Sequence, residues 1–342
     1  MTEPLKTVLV GFGKVASMVG TDPKAATFLK YPTHASVLRE HPAFSWDAVI
    51  DPDESALVRA REDWGVRYTA KTFDELSEYY RPDVAIIATP ENIRLEIIEN
   101  MQGIKGILFE KPLARNLEEA SRVVSWCVAN RVVASVNLFR RAEKFSASLS
   151  RGKLFEHIGN PQTAHVLYGN GLRNNGIHMI DLVRMLLGEV DNVQAFPSVG
   201  SAPFDADGRQ NLAGLLTLKN RCPVYLSPIN FECYRDVLID IWGEVGRLEI
   251  YQEGLFARLS SKVPHRAISG VSEVALDQGT IFRTDCGTAY YDIYSNLSDV
   301  VLGRSSELAC SVEEALKTQC VVEAMFKSNE TGGVAVNPEN MM

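Results

Sequence analysis

Residues 6–16 read KTVLVGFGKVA. Thr7, Val8, Leu9 and Val10 form an apolar, mostly β-branched run without polar alternation, the composition of a strand covered on both faces. Gly11 to Ala16 then has the spacing Gly-x-Gly-x-x-Ala. Such a turn is common by itself, but directly after a strand and at the head of a helical crossover it has a specific stereochemistry. Gly11 permits the tight turn, Gly13 lets a pyrophosphate approach the backbone, and Ala16 keeps the helix close to the strand. The first N–H groups of that helix face the phosphates. Gly11, Phe12, Gly13, Lys14 and Val15 are therefore candidate cofactor contacts.

The same rhythm continues to about residue 140. Segments 44–51 (FSWDAVID), 83–89 (DVAIIAT), 106–110 (GILFE) and 132–137 (VVASVN) are β-like, with amphipathic helical patterns between them. Strands alternating with helices imply parallel pairing through right-handed crossovers, a doubly wound α/β sheet. Beyond 140 a single helical pattern at 175–187 is followed by β-like segments separated by Gly, Asn, Asp and Pro. Two helical patterns close the chain, near 288–302 and 311–327. The expectation is a Rossmann domain over 1–140 and an α+β domain with a mostly antiparallel sheet over 141–342.

Composition narrows the function. The 342 residues are 46% hydrophobic and 23% charged, with a formal net charge of −8. No basic run suggests a nucleic-acid partner. No apolar stretch approaches the roughly 18–20 residues that span a bilayer. The chain enters a strand almost at once, so no signal peptide is expected. Six cysteines without Cys-x-x-Cys or zinc spacing read as reduced, mostly buried thiols of a cytoplasmic protein, with no metal.

In an open α/β sheet, ligands lie at the carboxyl ends of the strands. Asp51 ends the second strand, where a carboxylate accepts both ribose hydroxyls of NAD and repels the 2′-phosphate of NADP; NAD is favoured. Asp51 lies 40 residues beyond Gly11, against a usual interval of roughly 20, so an insertion over 18–33 is expected. ATPEN (88–92) and FEKPL (109–113) follow two further strands. They add Thr89, Pro90, Asn92, Glu110 and Lys111 to the cofactor crevice. Near a cationic nicotinamide the Lys111 ammonium would lose its proton more readily, which suits proton transfer. Pro112 is a candidate cis residue.

In the second domain RNNGIHMIDLVRMLLG (173–188) is apolar except for a stripe of His178, Asp181 and Arg184. The stripe is either the wet face of a surface helix or the lining of a site. Asn174 or Asn175 would cap the helix and Gly188 end it. That places His178 in the first turn, where the positive helix end favours neutral imidazole, while Asp181 opposes this. Arg173 and Tyr168 flank a glycine-rich loop and, with Asp181, are candidate substrate contacts. Arg184 reads as a helix-end cation.

GFGKVA, TP, EKP and VNLFRR after successive strands resemble the glucose–fructose oxidoreductase/inositol dehydrogenase (Gfo/Idh/MocA) family. NGIHMIDLVRMLLGEV, IWGEVGRL and SVEEALKTQCVVEAMFKS resemble its second-domain elements, so the resemblance covers nearly the whole chain. It implies NAD(P)-dependent hydride transfer at a carbinol or ketone of a sugar, cyclitol or sugar nucleotide. It implies that Lys111 and His178 face the nicotinamide, and a homodimer or homotetramer formed through the C-terminal sheet. Asn174 stands where polyol-oxidising members carry aspartate, which points to nucleotide-linked or keto-sugars. An amide takes up no proton, so Lys111 would carry more of the proton work. Arg94 replaces a frequent histidine. The alternatives are a non-catalytic dinucleotide sensor of the same fold and a reductase of a non-sugar ketone or diol.

Overall fold

The computed structural model describes residues 3–18, 27–197 and 208–341. Half of the expected insertion, residues 19–26, lies outside the described residues. In chain order the first elements are β1 (Leu5–Val10), α1 (His34–Glu40), β2 (Phe44–Ile50), α2 (Glu54–Trp64), β3 (Tyr68–Ala70) and α3 (Phe73–Ser77). Then come β4 (Val84–Ile87), α4 (Arg94–Glu99), β5 (Gly106–Phe109), α5 (Leu117–Ala129) and β6 (Val133–Val136). The short helices α6 (Lys144–Ser148) and α7 (Leu154–Ile158) lead to β7 (Pro161–Tyr168), α8 (Ile177–Leu187) and β8 (Val190–Pro197). The remaining strands are β9 (Leu212–Leu218), β10 (Pro223–Pro228), β11 (Leu238–Gly243), β12 (Gly246–Tyr251), β13 (Phe256–Pro264), β14 (Ser272–Val274) and β15 (Thr280–Arg283). Helices α9 (Ala289–Val301) and α10 (Val312–Glu330) follow.

The chain forms two compact units, Met1–Glu143 with Gly287–Leu316, and Lys144–Cys286 with Lys317–Met342. The first holds a six-stranded parallel sheet in the order β3-β2-β1-β4-β5-β6. Side chains of β1 alternate between two cores: Val8 and Val10 pack with Ile98, Val123 and Cys127, whereas Leu5 and Leu9 pack with Leu38, Leu57, Ile293 and Leu297. This two-sided burial explains the unbroken apolar strands. A single cut at residue 140 assigns 287–316 to the second domain. Here α9 instead returns to cover the parallel sheet, because Ile293, Tyr294 and Leu297 bury fully against it. Local capping sets the crossovers: Thr33 and Ser36 form a reciprocal capping box on α1, Asp53 caps α2, and Asn116 caps α5.

The second unit holds a nine-stranded sheet, β14-β13-β12-β11-β7-β10-β9-β8 with β15 on β13, antiparallel except for the β7–β10 pair. Ala164, Val166 and Tyr168 of β7 face a core shared with Ile180, Val183, Val321 and Met325 of α8 and α10. His165 points to the other face, stacked on Tyr225 at 5.1 Å. There Asp240, Arg247, Glu249 and Arg258 form a ladder of ion pairs. All six cysteines are free thiols; five are buried and Cys233 is exposed. Among the described residues no helix is long and apolar enough to cross a membrane.

Because α9 belongs to the first core, Ile293→Ala is expected to lower stability by roughly 2–5 kcal/mol in urea unfolding. A loss below about 0.5 kcal/mol, the size of a surface change, would refute that packing role.

Candidate functional site

The turn after β1 is built on two differently used glycines. Gly11 has φ +86°, and a Cβ there would sit 2.9 Å from the Ala88 carbonyl oxygen, so only glycine fits without strain. A Cβ at Gly13 meets no protein atom within 4 Å, leaving open the approach that a pyrophosphate requires. Lys14 and Val15 are exposed in a short π-type turn, Lys14–Met18, in place of the expected α-helical start. Phe12 contributes less than expected. Its ring is fully buried and its N–H donates to Asp51 Oδ2 at 2.6 Å, so neither is left for a phosphate.

Asp51 Oδ1 also accepts the Asp53 N–H at 2.9 Å. Each carboxylate oxygen keeps a further lone pair for a ribose hydroxyl. Beside it a cavity of about 460 Å³ opens between the ends of β1, β2 and β4, lined by Gly11, Ile50, Pro52, Phe73, Thr89 and Ile93. Its walls suit a flat heteroaromatic base. The Thr89 hydroxyl is buried without a hydrogen-bond partner, an orphan that a bound polar group would satisfy. Pro90 and Asn92 are exposed in the turn that follows. These features fit an adenine dinucleotide.

At the end of β5 the structure corrects the placement of Glu110. Its carboxylate does not open to a crevice; it is buried and held by protein donors. Oε1 accepts His34 Nε2 at 3.0 Å and Asn137 Nδ2 at 2.6 Å, and Oε2 accepts the Lys111 N–H at 3.2 Å. Burial opposes its ionisation, yet the His34 hydrogen bond, the charges of His34 and Lys111, and the Asn137 amide together hold its pKa below the usual carboxylate value. His34 Nδ1 lies 2.7 Å from the Tyr294 hydroxyl. Lys111 itself is half-buried, and the Lys111–Pro112 peptide is cis as expected.

Arg94 closes this turn from the other side. Its guanidinium is buried and donates to the carbonyls of Thr89, Glu110 and Pro112. Burial lowers its pKa to about 10, against the opposing pull of Glu110 and Glu91, so it stays charged at neutral pH. Arg94 was visible in the sequence only as a departure from a family pattern, and His34 not at all. The available signal was chemical: a carboxylate beside a buried strand needs donors from somewhere.

In the second unit the polar stripe is buried, not the wet face of a surface helix. His178, Asp181 and Arg184 are all buried, with Asp181 at 1% and Arg184 at 4% exposure. Arg184 Nη1 donates to Thr318 Oγ1 at 2.6 Å, and Thr318 donates to Asp181 Oδ1 at 2.8 Å. Arg184 also makes a two-point pair with Glu189. Asp181 and Arg184 therefore fasten α8 to α10, which corrects the substrate role expected for Asp181 and the solvated role expected for Arg184.

Neither Asn174 nor Asn175 caps α8. Both lie in a π-type turn, Leu172–Gly176, that runs straight into the helix without a side-chain cap. His178 consequently sits beyond the first helical turn, and the dipole argument for its neutrality weakens. Tyr168 is fully buried, its hydroxyl donating to the Leu212 carbonyl at 2.7 Å and accepting the Leu212 N–H at 2.9 Å. It is a core residue, not a substrate contact. Arg173 is exposed, forked onto Glu323 at 2.9 and 2.6 Å and stacked over Phe326.

Comparison with known proteins agrees with this fold. Residues 5–138 match the model of an oxidoreductase family with an NAD-binding Rossmann fold, and residues 167–337 match that family's C-terminal α/β domain. No curated protein sequence matches the chain. Among solved structures, a super-repressor mutant of Gal80p from Saccharomyces cerevisiae has a TM-score of 0.76 at 16% identity, covering 99% of this chain and 98% of that one. Apo scyllo-inositol dehydrogenase from Lactobacillus casei has a TM-score of 0.74 at 18% identity, covering 99% and 100%. The WlbA dehydrogenase from Bordetella pertussis, in complex with NADH and UDP-GlcNAcA, has a TM-score of 0.72 at 17% identity, covering 98% of each chain. At such identities the likeness is one of fold.

Arg94→Met removes a buried donor from four carbonyls at once, those of Thr89, Glu110, Pro112 and Leu113, and is expected to cost about 3 kcal/mol in urea unfolding. An unchanged midpoint would mean the guanidinium does not hold the turn.

Proposed function

The chain belongs to the Gfo/Idh/MocA family of oxidoreductases, and from that premise we propose that it is an NAD-dependent enzyme acting on a sugar or nucleotide-linked sugar. The chemistry that bound NAD supplies is hydride transfer at a carbinol or ketone carbon. The observation that carries the proposal is Lys111 on a turn fixed by Glu110 and Arg94, in the same unit as an open glycine turn. A dinucleotide sensor needs the glycine turn but has no chemical use for the lysine. The fold likeness to the Gal80p repressor is the one observation that favours the sensor, and it is a likeness of backbone alone.

In this proposal Lys111 polarises the reacting oxygen and relays its proton. His178 acts as its acid/base partner, and Asn174 donates or accepts a hydrogen bond without taking a proton. Asp51 binds the ribose hydroxyls and disfavours a 2′-phosphate, so NAD is preferred over NADP. The sugar-nucleotide class is supported by Asn174, which stands where the resemblance places an aspartate in polyol-oxidising members. The enzyme is further assigned to the cytoplasm, as a homodimer or homotetramer through the outer face of the nine-stranded sheet.

Thermal shifts with NAD⁺, NADH, NADP⁺ and NADPH, each with and without UDP-, GDP- and dTDP-sugars, test this directly. Stabilisation by NAD(H) with a further shift from one nucleotide sugar is expected; no shift with any dinucleotide would overturn the proposal. With the substrate so found, Lys111→Met should lower turnover by roughly 10²–10⁴-fold while NADH binding stays nearly unchanged; intact turnover would return the chain to the sensor class. Asp51→Asn removes the charge but keeps an acceptor for Phe12, and should narrow the preference for NADH over NADPH by about tenfold, ~1.4 kcal/mol.

A further inference from the structure

The cavity beside Asp51 carries a cation that the proposed function leaves unused. Ile50 and Ala70 pair at the carboxyl ends of β2 and β3, and the Asp51 N–H donates to the Ala70 carbonyl at 3.2 Å. Asp51 and Lys71 follow directly on that pair, so their main chains leave the sheet side by side, about one strand spacing (~4.8 Å) apart. Lys71 lines the cavity together with Gly11, Pro52 and Thr89. Because β2 lies between β1 and β3, the lysine flanks the ribose carboxylate on the side away from the glycine turn.

A lysine there would ordinarily favour a phosphate ester on the ribose, since an ammonium is a good point-charge ligand for phosphate. Here its charge is already met. Lys71 Nζ lies 3.8 Å from Glu54 Oε2, and Glu54 Oε1 lies 3.2 Å from Arg61 Nη2. Arg61 is itself tied down, because its Nη1 donates to Thr69 Oγ1 of β3 at 2.7 Å. Glu54 opens α2 directly after the Asp53 cap, so the helix start and Arg61 together hold its carboxylate at the end of β3. Arg59, also on α2, is spent on the Ser55 hydroxyl and the Phe12 carbonyl.

We propose that Glu54 is a second specificity-determining residue of the cofactor site, beside Asp51: it occupies the Lys71 ammonium that a 2′-phosphate would otherwise use. The inference rests on the dinucleotide assignment proposed above. Its physical basis is competition between anions for one cation. Lys71 and Glu54 are both more than half exposed, and such a pair is weak, so the lysine remains exchangeable. A 2′-phosphate carries up to about two negative charges at neutral pH. To reach Lys71 it must displace the Glu54 carboxylate and then stay beside it, whereas a free 2′-hydroxyl does neither. The pair thus lowers affinity for NADPH and leaves affinity for NADH alone.

Substitutions at these exposed positions test the proposal by binding alone, without turnover. Calorimetric titration gives the NADH affinity, and titrating NADH into protein saturated with NADPH gives that of the weaker ligand. In Glu54→Gln, NADPH is expected to bind about fivefold more tightly, the scale of one exposed ion pair, with NADH changed by less than about twofold. Lys71→Met should remove that gain in the Glu54→Gln protein, yet change NADPH affinity by less than about twofold when Glu54 is present. This non-additivity separates competition for the lysine from simple repulsion by Glu54, which predicts independent effects.

An unchanged NADPH affinity in Glu54→Gln, a gain that survives Lys71→Met, or an equal gain for NADH overturns the proposal. If NADH does not bind the wild-type protein, the cofactor reading falls and this inference with it. If NADH binds and the NADPH pattern is absent, only this inference falls.

Discussion

One buried carboxylate organises the carboxyl edge of the parallel sheet. Burying a charge is costly unless it is paired and hydrogen-bonded. Glu110 meets that condition with donors drawn from α1, from the end of β6 and from its own turn. The cost of leaving any of them out fixes where those elements pass. Arg94 imposes the complementary constraint from α4, since a buried guanidinium must find acceptors and finds the backbone carbonyls of the same turn. Lys111 is held between the two by its main chain, with its side chain only half-buried.

The parallel sheet was legible because its strands are buried on both faces and so carry continuous apolar runs. The second sheet was legible from its β-like segments separated by Gly, Asn, Asp and Pro, although β7, where Ala164, Val166 and Tyr168 alternate with outward residues, lies before them. Short β3, β14 and β15 carry too few residues to stand out by periodicity. The return of 287–316 to the first unit was not legible. An amphipathic helix shows in sequence that it has a buried face but not which sheet covers that face, and Ile293, Tyr294 and Leu297 would suit either core.

At the candidate site, backbone-determined features read correctly and partner-determined ones did not. Gly11 is demanded by its φ and by the Ala88 carbonyl, a local constraint that the motif spacing records. Glu110, Asp181 and Tyr168 are polar groups beside apolar runs, and such groups invite assignment to a ligand. Their real partners, His34, Thr318 and Leu212, lie 76, 137 and 44 residues away. Nothing in a single sequence marks those pairs. The same holds for α8, where two asparagines in cap-like positions continue a helical turn whose Leu172 and Gly176 are buried.

Glu110, Asp181 and Tyr168 have in common a feature that bears on the chemistry. Polar residues that seemed available were consumed by the fold, which leaves few with a reactive atom still to offer. In the first unit, the Thr89 hydroxyl is buried without a partner and Lys111 is half-exposed on a braced turn. A group that moves a proton must reach its substrate while its base stays fixed, because small misplacements of reacting groups are costly in rate. A lysine whose backbone N–H is tied to Glu110 and whose side chain is only half-buried fits the role proposed for it. A binding-only protein has no use for that combination, since a loosely held lysine on any crevice rim would serve to attract phosphate.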